Sequence, residues 1–144
     1  MTAAVNTEHW AVPYIGRPWR RGAQGPEEFD CWSFVRWVER ERFGRDLAEI
    51  IVPEPPPGAS RVGAYARAFA AHPEEWAKWR PTSTPAEGDA VAMSKGREIH
   101  HVGLWIDADR GGILHCLDEI GVILSPVAAL RAALWRRIDY YAWA

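Results

Sequence analysis

An α+β fold, with N-terminal helices packed on an antiparallel sheet, is the class this sequence predicts. Helical patterns lie at 31–43, 60–71 and 74–80, strand candidates cluster after Asp89, and no internal repeat is present. A chain of 144 residues has room for one domain, 1–144, and buries roughly two-thirds of the surface its unfolded form exposes.

Residues 13–26 carry Pro13, Gly16, Pro18, Gly22, Gly25 and Pro26, the punctuation of a long loop. Cys31, Phe34, Val35 and Val38 then fall at i, i+3, i+4 and i+7, one apolar stripe, with Arg36, Glu39 and Arg40 pointing away. Asp30 suits the N-cap and Gly44 the C′ position, so the spacing predicts a helix over 31–43. Pro53, Pro55, Pro56 and Pro57 interrupt regular structure. Residues 60–71 and 74–80 read as helical, and 81–88 as a loop leading to Asp89. Strands are expected at 90–94, 99–107, 112–117 and 121–124, a short helix at 127–132 and a closing strand at 135–143.

Composition narrows the function. Hydrophobic residues at 48% against 25% charged exclude a disordered chain. Seventeen basic and nineteen acidic residues give a net charge of −2 with no basic block, which argues against nucleic-acid binding. The apolar stretches are too short to span a membrane. No basic start followed by an apolar segment opens the chain, so no signal peptide is read and the protein is expected in the cytoplasm as synthesised. Cys31 and Cys116 are too few for a disulfide scaffold and are expected as free thiols. The nine tryptophans read either as core or as the lining of a groove.

A cysteine just past an N-cap lies where backbone N–H groups and the helix dipole favour negative charge, which lowers a thiol pKa and makes a nucleophile. A buried structural cysteine is the alternative. A nucleophile needs a base. On an alternating strand His101, Gly103 and Trp105 share one face, opposite the aliphatic face of Val102, Leu104 and Ile106. Gly103 leaves space beside His101, and His100 points the other way. On the next strand His115 shares a face with Ile113 and Leu117, with Cys116 turned away. The two histidines cooperate only in a register that pairs Gly103 with His115, or one equivalent in parity. Metal readings are weaker. His100, His101, His115, Cys31 and Cys116 are zinc-ligand types without ligand spacing, and Asp107, Asp109 and Asp118 imitate a calcium loop only loosely. No phosphate-binding glycine loop is present.

The stretch YIGRPWRRGAQGPEEFDCWSFVRWVERERFG, followed by EGDAVAMS, HHVGLWID and GGILHCLDEIGVILSP, resembles the NlpC-type cysteine peptidases, a bacterial and phage branch of the papain-like clan. The resemblance covers most of residues 14–126. It implies Cys31 as nucleophile, His101 as general base and His115 as the group that orients the imidazole, with Trp19, Asp30 and Trp32 facing the substrate. Members cleave amide bonds in peptidoglycan stem peptides and need neither cofactor nor metal. Where the family usually reads Asp-Cys-Ser-Gly, this chain has Asp30-Cys31-Trp32-Ser33, and Trp19 stands where an approach-loop tyrosine is common. Trp32 is therefore expected in the groove wall. The Asp-Cys-Trp form resembles the branch encoded with phage or prophage tail genes, which implies tail proteins as partners and a virion or tail location. A non-hydrolytic tail or cell-wall binding module, and an acyltransferase or amidase on another substrate, use the same residues and remain open here.

Overall fold

The computed structural model describes residues 9–144, so the leader reading lies largely outside the described residues. Asp30 begins the first helix, α1 (Cys31–Phe43): its side chain accepts from the Ser33 backbone N–H, and the Ser33 hydroxyl accepts from the Asp30 N–H, a reciprocal capping box. Gly44, in the left-handed region at φ 67°, ends it. The predicted boundaries hold. Helix α2 (Arg61–Ala70) starts on the Ser60 hydroxyl, which accepts from Gly63 N–H.

The third expected helix is shorter than its sequence pattern. α3 (Pro73–Trp76) is a single turn, and the chain then extends as β1 (Trp79–Thr82), where a helix end and a loop were expected. Pro81 obscures this strand. It is tolerated because β1 is an edge strand, where a missing N–H need not face a neighbour. Its anchor is Trp79, opposite Trp143, with ring centroids 4.9 Å apart edge-to-face.

Five further strands follow: β2 (Ala90–Ser94), β3 (His101–Ile106), β4 (Gly112–Leu117), β5 (Gly121–Ser125) and β6 (Arg137–Trp143). A short helix, α4 (Val127–Ala132), precedes the last. The sheet order is β1-β6-β2-β3-β4-β5, every pair antiparallel. The far edge, β5, is covered by the loop before α1: Gly16 N–H donates to Val122 O and Val122 N–H to Arg17 O.

One face of the sheet presents Val102, Leu104, Ile106, Leu114, Cys116 and Val122 to α1 and α2. The other buries Val91, Met93, Ile113 and Ile138 under Leu130 of α4 and Trp135. Helices therefore cover both faces. The β3–β4 pair places Leu104 opposite Leu114 and Trp105 opposite Ile113, a register that continues to Gly103 opposite His115. Gly103 is required there: a Cβ would lie 2.7 Å from Ile113 Cγ2 and 3.0 Å from His115 Cβ.

Candidate functional site

A cleft of about 210 Å³ opens where α1, α2 and the start of β3 meet. Cys31, at the first position of α1, and His101, at the first position of β3, both line it, with Tyr65 from α2, Trp19 from the approach loop, His100 and Trp135. Sequence positions from 19 to 135 converge here because the capped end of α1 lies over the β3–β4 pair.

His101 Nε2 lies 2.7 Å from His115 Nδ1, the rings edge-to-face at 74°. The pair is buried, His101 at 5% exposure and His115 at 0%. With its Nε2 engaged, His101 has Nδ1 left for other partners. His115 Nε2 in turn lies 2.9 Å from the Ser125 hydroxyl of β5. Burial holds His101 well below the ordinary imidazole value, with His115 and His100 adding to it, and burial lowers His115 to about 4. Both rings are therefore neutral near pH 7.

The thiols differ from expectation in one respect. Cys31 sits at the helix start as predicted, but burial pushes its thiol well above the ordinary value, and the neighbouring Asp30 carboxylate raises it further; the Val102 and Trp32 amides offset this only in part. A neutral thiol beside a neutral imidazole replaces the expected resting thiolate. Cys116 faces away from His115, as the alternation predicted. It is fully buried, its Sγ donates to Phe29 O at 3.4 Å, and burial pushes it up to about 12.

Of the three residues expected to face a substrate, the structure brings only Trp19 to the cleft. Trp32 is 3% exposed and turns into the core, where its Nε1 donates to Ala48 O at 2.8 Å and its ring packs on Phe69 and Trp76. The expectation of a groove-wall tryptophan fails because position N2 of α1 points under α2, away from the helix end. Asp30 is fully buried. One carboxylate oxygen caps α1, and the other accepts the Tyr65 hydroxyl at 3.1 Å. It shapes the cleft through those two groups without reaching it.

Sequence reasoning missed Tyr65, Trp135 and Ser125. Tyr65 and Trp135 lie outside the quoted stretches, Ser125 stands at the end of the last one without being singled out, and each arrives from a separate element. Among the cleft cations, Arg61 is paired with Asp118 and Glu119 at 3.2 Å each, while Lys95 lies 5.1 Å over the Trp135 ring. No group of three or more His, Cys, Asp or Glu side chains able to hold a metal occurs among the described residues, and no described helix is long and apolar enough to cross a membrane.

Two solved structures resemble this chain over nearly its full length. The NlpC/p60 domain of the peptidoglycan hydrolase SagA is 22% identical with a TM-score of 0.57, the match covering 93% of this chain and 92% of that one. An N-acetylmuramoyl-L-alanine amidase from Bacteroides uniformis ATCC 8492 is 14% identical with a TM-score of 0.52, covering 92% and 96%. At such identities the likeness shows the fold, a papain-like helix-on-sheet domain. No match was found among curated proteins. Residues 16–137 match the NlpC/P60 family, and the chain belongs to it.

Proposed function

We propose that this protein is a cysteine peptidase that hydrolyses an amide bond in peptidoglycan stem peptides. The observation that carries the reading is the 2.7 Å contact between His101 Nε2 and His115 Nδ1, in a cleft that Cys31 shares. That contact leaves His101 Nδ1 to take the Cys31 proton, as a base oriented by a third group requires. The thiolate sulfur attacks the scissile carbonyl carbon. The tetrahedral oxyanion receives the Cys31 backbone N–H at the helix start. His101 gives its proton to the leaving amine as the C–N bond breaks. It then takes a proton from water, whose oxygen displaces the sulfur and releases the acid, and the proton returns to Cys31. The names of the two similar structures, a peptidoglycan hydrolase and an N-acetylmuramoyl-L-alanine amidase, support a cell-wall substrate. The Asp30-Cys31-Trp32 form supports a tail-associated member, made in the cytoplasm and carried to the wall with phage or prophage tail proteins.

The test is incubation with purified sacculi, reading released amines by mass spectrometry. Release that disappears in Cys31→Ala is the expected result. One observation favours a second reading: the Cys31 thiol is 3% exposed and pushed up by burial, which suits a binding module that kept the fold. Retention on sacculi without amine release, equal in wild type and Cys31→Ala, would establish that reading instead.

A further inference from the structure

His115 is fully buried, so both ring nitrogens must find partners within the protein. Nδ1 has His101 Nε2 at 2.7 Å and Nε2 has Ser125 Oγ at 2.9 Å. Ser125 is the last residue of β5 and is 8% exposed. The β4–β5 register sets His115 opposite Ile123 and Ser125 opposite Ile113, so Ser125 and His115 are diagonal neighbours on one face of the sheet. The histidine pair is thus the middle of a longer chain of hydrogen bonds.

A chain of this kind has two neutral proton arrangements. In one, His101 Nε2–H donates to His115 Nδ1, and His115 Nε2–H donates to Ser125 Oγ. His101 Nδ1 then carries a lone pair. In the other, His115 Nδ1–H donates to His101 Nε2, and the His101 proton sits on Nδ1, where it blocks acceptance from a thiol. Only the first is competent for the chemistry proposed above. We propose that Ser125 is a positioning residue that selects this arrangement by accepting the Nε2–H of His115. The inference rests on the reading of His101 as general base. Without the hydroxyl, the first arrangement strands a buried N–H donor, which costs more than the unused lone pair left by the second.

The experiment uses the full chain labelled with ¹⁵N-histidine and long-range ¹H–¹⁵N correlation spectra, which report which ring nitrogen carries the proton. Wild type should show His115 and His101 both protonated at Nε2. Ser125→Ala should move both protons toward Nδ1. It should also lower kcat on stem peptide about tenfold, the worth of one buried hydrogen bond, with KM within about twofold. Ser125→Thr, which keeps the hydroxyl, should restore both spectrum and rate. Wild type with His115 Nε2 unprotonated overturns the proposal, because the serine would then be donating. So does a Ser125→Ala spectrum identical to wild type, or a Ser125→Thr that restores neither. The wild-type spectrum alone keeps the proposal open to refutation if Ser125→Ala fails to fold. Turnover is not needed for the tautomer readout. A wild type that cleaves nothing removes the peptidase reading, while the spectra still decide what Ser125 does.

Discussion

Trp135 packs its indole against the imidazole of His101, ring centroids 5.2 Å apart at an interplanar angle of 35°. The same indole stacks on His100 at 5.3 Å, and Lys95 Nζ lies 5.1 Å from its ring. Trp135 stands after α4 and before β6, where its N–H donates to Leu130 O and Leu134 takes φ 71° to turn the chain. It is 5% exposed. His101 is thereby fixed from two sides, by a hydrogen bond to His115 and by an aromatic wall.

Removing that wall should cost both stability and turnover. Trp135→Ala opens a cavity beside His101 and should destabilise the fold by about 3 kcal/mol in urea unfolding. Trp135→Phe keeps a ring against the imidazole and should lose less than half as much. Equal stability of Trp135→Ala and wild type would mean that the indole is not part of the packed core.

The ranking of substitutions follows from the cleft. Cys31→Ser and His101→Ala should each lower turnover on stem peptide by at least about three orders of magnitude, since nucleophile and base act as one unit. His115→Asn should be milder, because an amide oxygen can still accept from His101 Nε2–H. His100→Ala should stay within about tenfold. Its Nε2 accepts from the Lys95 backbone N–H at 3.1 Å and its ring stacks on Trp135, so it supports the wall without reaching a reacting atom. A His100→Ala variant as inactive as His101→Ala would reverse the assignment of the two histidines.

The two thiols should separate by access and by pH. Cys31 lines the cleft, whereas Cys116 is fully buried with its Sγ on Phe29 O. Iodoacetamide should therefore label Cys31 first in the native protein, and denaturation should erase the difference. Because burial raises the Cys31 thiol above its ordinary value of 9.0, its thiolate fraction climbs about tenfold per pH unit across pH 6–9. The labelling rate should climb with it. A rate already level below pH 7 would show that the helix dipole outweighs desolvation and that thiolate and imidazolium rest as an ion pair.

That last contrast marks where sequence reading stops. The Asp30 cap, the stripe from Cys31 to Val38 and the Gly44 end are local signals, and α1 follows them residue for residue. The alternation on β3 and β4, with Gly103 as the gap opposite His115, was likewise legible, because strand parity is a local property. Desolvation of Cys31 was not, since it depends on what α2 and the sheet enclose. Nor was the inward turn of Trp32, the convergence of Tyr65, Ser125 and Trp135 on the site, or β1, whose Pro81 reads as a loop until β6 pairs with it. These are consequences of long-range packing, and no spacing rule encodes them.

A buried carboxyl far from the cleft gives the stability its own pH dependence. Glu39 on α1 is 0% exposed. One oxygen accepts from Arg45 at 3.1 Å, and the other is buried with no partner. Arg45 is shared, since the same nitrogen also donates to Gly88 O at 3.0 Å, so its charge only partly offsets the cost of burial. Burial pushes the Glu39 carboxyl up to about 8, and the Asp89 charge adds to it. The native state thus holds a proton that the unfolded chain releases near its ordinary value of 4.5. Between those limits the folded form binds more protons than the unfolded form, so stability falls as pH rises. From pH 6.5 to 8 the loss from this group should reach about 1.6 kcal/mol, because the slope of about 1.4 kcal/mol per unit for one proton halves as the pH reaches the native value. The buried histidines work against this loss at the lower end of the window: His100, His101 and His115 are lowered, so the unfolded chain still releases their protons up to about pH 7.5 and stability gains there with the opposite sign. Glu39→Gln keeps an acceptor for Arg45 and removes the titration. Its melting temperature should gain steadily on that of wild type from pH 6.5 to 8, and wild type should decline from about pH 7.5 upward. A decline that persists unchanged in Glu39→Gln would assign the slope to another group and leave Glu39 ionised in the native protein.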